Sequence, residues 1–163
     1  METKIAVIGL GYVGLPLALE FAKTFEVVGF DINSERVDQM KRQEDPSKEI
    51  PSSDFENRSI VFTDNAEDIK YCNLYIVAVP TPIGFGGTPN LIPLLSASRT
   101  VGSVISKGDC VVFESTVYPG CTEDDCIPII EAESTLHRTK DFSFGYSPER
   151  INPGDKNRKI CDI

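Results

Sequence analysis

The sequence has little basic charge. Its 16 lysines and arginines stand against 25 aspartates and glutamates, which gives a formal net charge of −9. Nucleic acids and anionic membrane surfaces are bound through a basic footprint, so we expect neither as a partner. A small anionic ligand is still compatible with this charge, because backbone N–H groups can bind phosphate without any lysine.

Long hydrophobic runs are also lacking. No apolar segment approaches the roughly 20 residues that span a bilayer. The apolar N-terminal region is interrupted by Gly9, Gly11 and Gly14, and neither a basic segment nor a small-residue cleavage site frames it as a signal peptide. With 40% hydrophobic and 25% charged residues, the composition is typical of a soluble globular protein, which we expect in the cytoplasm.

Cysteine pairs with the spacing of metal or redox sites are absent. The five cysteines are odd in number and contain no CxxC pair, so the sequence predicts neither a disulfide framework nor a metal site. Buried or idle thiols are the simplest interpretation. The only histidine, His137, lies in a polar stretch, which favours a solvated loop residue over a catalytic acid or base.

Short apolar runs alternate with helix-like stretches along the chain. The predicted strands cover residues 4–10, 26–31, 60–63, 73–80, 109–116 and 141–147. The predicted helices cover residues 13–23, about 34–41, 91–106 and a stretch in the 120s, where Thr122 and Asp125 have the spacing of a capping box. This alternation predicts an α/β domain with a doubly wound, mostly parallel sheet of six or more strands and helices on both faces.

Three glycines, Gly9, Gly11 and Gly14, lie between the first strand and the first helix. Gly9 would permit a tight turn, and a side chain at Gly11 would keep a pyrophosphate from the backbone. Gly14 would let the helix pack closely on the strand, and the helix N-terminus would offer N–H donors to phosphate. Glycine triplets also occur by chance in loops, so the pattern depends on its context.

That context includes an acid at the end of the second strand. Asp31 follows Gly11 by 20 residues, where an acid accepts hydrogen bonds from the adenosine ribose hydroxyls. A carboxylate there repels a 2′-phosphate, so the sequence favours NAD over NADP. The alternative is a structural glycine turn with a solvated aspartate.

Three later segments follow predicted strands: VPTP (79–82), EST (114–116) and YSPERINPGD (146–155). In a doubly wound sheet all three lie at the carboxyl ends of strands, where ligands bind. Their polar side chains that could face one crevice are Thr81, Ser115, Thr116 and Glu149. Taken singly, each segment has a plain alternative: the prolines can end a strand, the hydroxyls can belong to turns, and the glutamate can be a solvated loop residue.

Five segments together resemble the UDP-glucose/GDP-mannose dehydrogenase family: IGLGYVGLPLA, GFDIN, VPTP, ESTVYPGCTE and GYSPERINPGD. The resemblance runs from Lys4 to Ile163 and is greatest to the UDP-N-acetylhexosamine 6-dehydrogenases of bacterial capsule and O-antigen synthesis. It implies a Rossmann-like NAD-binding domain. It also implies a two-step oxidation of the sugar C6 hydroxyl to a carboxylate, with two NAD reduced and with a thiohemiacetal and a thioester formed on a cysteine.

The resemblance assigns roles to individual residues. The residues that it assigns to the NAD site are Gly9, Gly11, Tyr12, Val13, Gly14, Asp31, Arg36, Thr81 and Ser115. Among these, Asp31 would hold the ribose and Arg36 would lie near the adenosine. Thr116 matches a threonine that helps to hold a catalytic water, and Glu149 matches a glutamate associated with thioester hydrolysis and the sugar site.

Two positions distinguish branches of the family. UDP-glucose enzymes tend to carry a second glutamate four residues after the one that matches Glu149, where this sequence has Pro153. They often have a lysine at the position of Glu114. Both differences favour a UDP-N-acetylhexosamine, with UDP-glucose, or another Rossmann hydroxy-dehydrogenase such as one acting on 6-phosphogluconate or a hydroxyacyl-CoA, as alternatives.

The family's nucleophilic cysteine and its UDP-binding domain would lie further along the chain, and none of the five cysteines matches that motif. We therefore interpret residues 1–163 as an N-terminal NAD-binding domain without the central helix and the UDP-sugar domain. It is expected to bind NAD and to be inactive alone, and the full-length enzyme to be a homodimer or larger homo-oligomer. A freestanding NAD-sensing module is the non-enzymatic alternative.

Overall fold

Strands and helices alternate along residues 2–148, the part of the chain that this computed structural model describes. The strands are β1 (Lys4–Ile8), β2 (Glu26–Phe30), β3 (Ile60–Thr63), β4 (Leu74–Val77), β5 (Cys110–Phe113) and β6 (Ser143–Tyr146). The α-helices are α1 (Gly14–Phe21), α2 (Ser34–Lys41), α3 (Ile92–Val104) and α4 (Ile127–Ser134). Each predicted strand and helix is present, although most strands are shorter than predicted because the chain leaves the sheet before its apolar run ends.

The six strands form one sheet in the order β3-β2-β1-β4-β5-β6, and each of its pairings is parallel. The order reverses direction between β1 and β4, since the chain builds one half outward from β1 and then returns to start the other. A crevice forms at the carboxyl ends of the strands at such a switch point, and ligands bind there in open α/β sheets.

Alternate residues of β1 point to opposite faces of the sheet. Ile5 and Val7 join a core cluster with the buried residues of α1 and α2, whereas Ala6 and Ile8 join a second cluster with those of α3 and α4. All four residues are buried, with at most 2% of their surface exposed. Helices therefore cover both faces, which confirms the predicted fold class and explains the nearly continuous apolar sequence of the central strands.

The start of α4 differs from the prediction. Thr122 and Asp125 do not form a capping box: no side chain caps this end, and the segment Thr122–Cys126 is a π-helical turn. Pro128 gives the physical reason, because it has no N–H and its ring obstructs the usual helical bonding to the residue four positions earlier. The Asp125 carboxylate instead accepts a hydrogen bond from the Tyr118 hydroxyl at 2.5 Å.

Candidate functional site

A cleft of about 430 Å³ lies at the carboxyl ends of β1, β4 and β5. Its walls are residues 11–13 after β1, residues 78–82 after β4, and residues 114–116 after β5. The cleft therefore lies at the switch point between β1 and β4, where the topology alone predicts a ligand site. The cleft brings together the segments after β1, β4 and β5 that the sequence singles out.

Residues 9–14, which we call the glycine turn, contribute residues 11–13 to one wall of the cleft. Gly9 has φ +89°, and a Cβ there would lie 2.8 Å from Val79 Cγ1. A Cβ on Gly14 would overlap the Gly9 carbonyl oxygen and approach Ala78 Cβ to 3.3 Å. These two glycines are therefore required by the fold itself. The sequence predicts that Gly14 lets α1 pack closely on β1. In the structure, its close contacts are instead with Gly9, just after β1, and with Ala78, just after β4.

Gly11 differs from the other two glycines. No atom of residues 2–148 lies within 4 Å of the position that its Cβ would occupy, and its φ lies outside the left-handed region. A side chain at Gly11 would point into open space beside the cleft, which this residue lines. Neither packing within the described residues nor backbone strain accounts for a glycine at this position.

Two side chains support the glycine turn: Asp31, which follows β2, and Arg36, which lies in α2. The Asp31 carboxylate accepts hydrogen bonds from Leu10 N–H and Asn33 N–H, both at 2.9 Å. The Arg36 guanidinium donates from Nη2 to the Leu10 carbonyl oxygen at 2.8 Å. Asn33 in turn caps α2 by accepting from Arg36 N–H at 3.2 Å. Sequence spacing pointed to Asp31 as a ribose ligand but gave no sign of this second contact with Leu10.

The opposite wall consists of residues 79–81 and 115–116, which we call the hydroxyl loops. Thr81 Oγ1 donates to the Thr116 carbonyl oxygen at 2.7 Å, and Ser115 Oγ donates to the Val79 carbonyl oxygen at 2.6 Å. The two loops are thus bonded to each other in both directions. Ser115 is buried, at 5% exposure, so its bond is shielded from water. The sequence singles out Thr81, Ser115 and Thr116 as candidates, but it does not predict the hydrogen bonds between the two loops.

The predicted site residues divide into two groups in space. Those that line the cleft are Gly11, Tyr12, Val13, Thr81, Ser115 and Thr116. Gly9, Gly14, Asp31 and Arg36 instead shape or support the glycine turn from behind. Tyr12 is 54% exposed at the cleft. Glu149, the remaining candidate, lies outside the described residues.

The buried thiols are poor nucleophiles. Burial raises the pKa of Cys72 to about 11 and that of Cys126 to about 12, and it raises the pKa of Cys121 as well. All three therefore stay protonated near neutral pH and are unsuited to attack a carbonyl carbon. His137 is exposed, and its Nδ1 lies 4.0 Å from Glu131 Oε1. It is not among the residues that line the cleft.

Within residues 2–148, no three histidine, cysteine or acidic side chains are grouped so that they could hold a metal ion. No helix in the same range combines the length and the apolar character that crossing a membrane requires.

Comparison with known proteins gives the family. Residues 3–162 match the model for the UDP-glucose/GDP-mannose dehydrogenase family, NAD binding domain. The chain is 53% identical over 163 residues to UDP-N-acetyl-D-glucosamine 6-dehydrogenase of Salmonella typhi, covering 99% of this chain and 38% of that protein. It is 53% identical over 156 residues to Protein CapL of Staphylococcus aureus, covering 96% and 37%. The chain thus spans about two fifths of the length of the curated relatives that it matches.

A solved structure agrees with this assignment. The structure of UDP-D-ManNAc dehydrogenase from Pyrococcus horikoshii superposes with a TM-score of 0.83 at 36% sequence identity, covering 93% of this chain and 37% of that one. The resemblance found in the sequence is therefore confirmed: the chain belongs to the UDP-glucose/GDP-mannose dehydrogenase family and is its NAD-binding domain.

Proposed function

We propose that this chain is the NAD-binding domain of a UDP-N-acetylhexosamine 6-dehydrogenase, which oxidises the sugar C6 hydroxyl to a carboxylate for capsule or O-antigen synthesis. Family membership and the names of the relatives at 53% identity support this proposal. The structural observation that carries it is the open space around Gly11, beside a cleft at the switch point of the sheet.

The glycine turn fits the pyrophosphate of NAD. Gly9 and Gly14 are needed for the shape of the turn, whereas nothing in the described part of the chain requires a glycine at position 11. A missing side chain there lets a ligand approach the backbone, and the N-terminus of α1 supplies N–H donors and partial positive charge for phosphate oxygens. Tyr12 and Val13 continue the same wall.

Asp31 fits the adenosine ribose. Its two oxygens each accept one backbone N–H, and each carboxylate oxygen has further acceptor capacity for a ribose hydroxyl. The same negative charge disfavours the 2′-phosphate of NADP. Arg36 lies beside this acid through their shared contact with Leu10. The expected preference is therefore for NAD.

The hydroxyl loops lie across the cleft, where the nicotinamide end and the sugar would meet. NAD, when bound, supplies the acceptor for a hydride from the sugar C6. Thr81 and Ser115 would fix the shape of this wall, since both hydroxyls already donate to backbone carbonyls. We propose that the exposed side chain of Thr116 helps to hold the hydrolytic water, and that Glu149 takes part in thioester hydrolysis.

The covalent step needs a nucleophile that the buried thiols do not provide. Cys72, Cys121 and Cys126 are held protonated by burial. We therefore propose that the nucleophilic cysteine and the UDP-sugar site belong to a further part of the enzyme, beyond the NAD-binding domain. For the whole enzyme we propose a homo-oligomer in the cytoplasm.

The cofactor proposal is tested by calorimetric titration of the chain with NAD and with NADP. NAD should bind more tightly than NADP. Gly11→Ala should weaken NAD binding at least about tenfold, because its methyl group obstructs the approach to the backbone. Its free energy of unfolding should change by less than about 0.5 kcal/mol, since the methyl group would meet no atom of the described residues.

Gly145→Ala is the matched control. A Cβ on Gly145, in β6, would also be accommodated, with Val112 Cγ2 4.0 Å away, but this glycine does not line the cleft. Its NAD affinity should equal that of the wild type. Unchanged NAD affinity in Gly11→Ala would contradict the proposed site.

The substrate is tested on the complete enzyme by following NADH formation. UDP-N-acetylglucosamine, its galacto and manno epimers, UDP-glucose and 6-phosphogluconate form the panel. We expect the enzyme to oxidise at least one of the three UDP-N-acetylhexosamines faster than it oxidises UDP-glucose or 6-phosphogluconate. Preference for UDP-glucose or 6-phosphogluconate would overturn the substrate assignment, and NAD binding without turnover on any of them would favour a sensing module.

A further inference from the structure

Leu10, the residue before Gly11, is fixed at three points. Its side chain is fully buried in the core beneath α1 and α2. Its N–H donates to Asp31 Oδ2 at 2.9 Å, and its carbonyl oxygen accepts from Arg36 Nη2 at 2.8 Å. Both peptide groups that flank Leu10 are therefore held by side chains, one from Asp31 just after β2 and one from Arg36 in α2.

The bond from Arg36 also sets the direction of the next N–H. The peptide between Leu10 and Gly11 is planar and trans, so the Gly11 N–H points away from the Leu10 carbonyl. That carbonyl is directed towards Arg36, on the β2 side of β1. The Gly11 N–H is consequently directed away from α2, on the side where β4 and the cleft lie.

We infer that Arg36 is a positioning residue, which orients the Leu10–Gly11 peptide so that the Gly11 N–H donates to the cofactor pyrophosphate. This inference rests on the proposed function and deepens it. It gives Arg36 a task that differs from contact with the adenosine: the guanidinium acts through the backbone of the glycine turn.

The position of Arg36 is itself well defined. Its backbone N–H is bonded to Asn33 Oδ1 in the first turn of α2, and Asn33 N–H is bonded to Asp31 Oδ1. The side chain is half-buried rather than free in solvent. One chain of hydrogen bonds thus runs from the end of β2 through the α2 cap to Leu10, and a rigid planar guanidinium suits such a fixed contact better than a flexible ammonium group.

The test compares Arg36→Met and Arg36→Lys with Arg42→Met. Arg42 lies at the other end of α2, where it is exposed and pairs with Glu44 at 3.5 Å, so its replacement makes the same change of charge and chain length away from the turn. Two measurements are made on each protein. One is the amide ¹H–¹⁵N resonance of Gly11 without ligand, and the other is the affinity for ADP-ribose and for adenosine.

Arg36→Met should shift the Gly11 amide resonance and weaken ADP-ribose binding about tenfold, the effect of losing one well-placed hydrogen bond. Adenosine has no pyrophosphate, so its affinity should change by less than about twofold. Arg36→Lys should lie between Arg36→Met and the wild type, and it keeps the comparison valid if the methionine variant folds poorly. Arg42→Met should leave the resonance and both affinities unchanged.

Three results would overturn the inference. Equal weakening of ADP-ribose and adenosine would mean direct contact with the adenosine, and weakening by Arg42→Met to the same degree would mean a general effect of charge. An unmoved Gly11 resonance in both Arg36 variants would mean that the peptide is not held by this side chain. Failure of the wild type to bind ADP-ribose would instead contradict the proposed function, and the resonance of Gly11 would still decide the role of Arg36.

Discussion

The glycine turn and the hydroxyl loops face each other across one cleft but keep their shapes by different means. The glycine turn depends on side chains that are missing, since a Cβ at Gly9 or Gly14 would strike backbone or Val79. The hydroxyl loops depend on side chains that are present, through the donors Thr81 and Ser115. The difference teaches that substitutions in the turn should act mainly by steric overlap, whereas those in the loops should act by loss of single hydrogen bonds.

The largest effect is expected from Gly14→Ala. The added methyl group would overlap the Gly9 carbonyl oxygen, and relief would require the N-terminus of α1 to move off the turn. We expect the free energy of unfolding to fall by about 3 kcal/mol or more, measured by urea denaturation. Gly11→Ala is the control within the same turn. Equal stability of the two variants would contradict the steric explanation for the glycine at position 14.

A smaller effect is expected from Ser115→Ala. This change removes a shielded 2.6 Å hydrogen bond and leaves the Val79 carbonyl without that donor. The free energy of unfolding should fall by about 1 to 2 kcal/mol in the same denaturation experiment. Ser103→Ala is a suitable control, because Ser103 Oγ makes a similar 2.8 Å bond to the Thr100 carbonyl at an exposed site of α3. A cost no larger than that of the control would show that the loops are held by something else.

The smallest effect is expected from Thr81→Val, which replaces the hydroxyl by a methyl group of similar size. Its bond to the Thr116 carbonyl is solvent-exposed, so water can replace the lost donor. The loss should be about 0.5 kcal/mol, and Thr81→Ser should recover it. A double-mutant cycle with Ser115→Ala sharpens the comparison: the two bonds join the same loops, so the combined loss should differ from the sum of the single losses.

Local sequence was enough to predict the alternating strands and helices and the place of the glycine turn. Apolar runs marked the strands, and their shared parallel direction brought the later segments to one edge. Local patterns failed at the start of α4, where Thr122 and Asp125 matched a capping box but Pro128 widened the turn. A capping pattern describes favourable bonds within four residues, and it does not include the steric demand of a proline that follows.

By itself, the sequence determined the fold class through its hydrophobic period, and it indicated the family through the resemblance of five segments. Glycine spacing and the acid 20 residues after Gly11 selected candidate residues for the cofactor site, because both are properties of the linear chain. Only the tertiary structure decided how those residues cooperate. Leu10 and Arg36 are 26 positions apart and Val79 and Ser115 are 36 apart, and no local preference links such pairs. Their hydrogen bonds exist because parallel pairing of β1 with β2 and of β4 with β5 ends each pair of strands side by side.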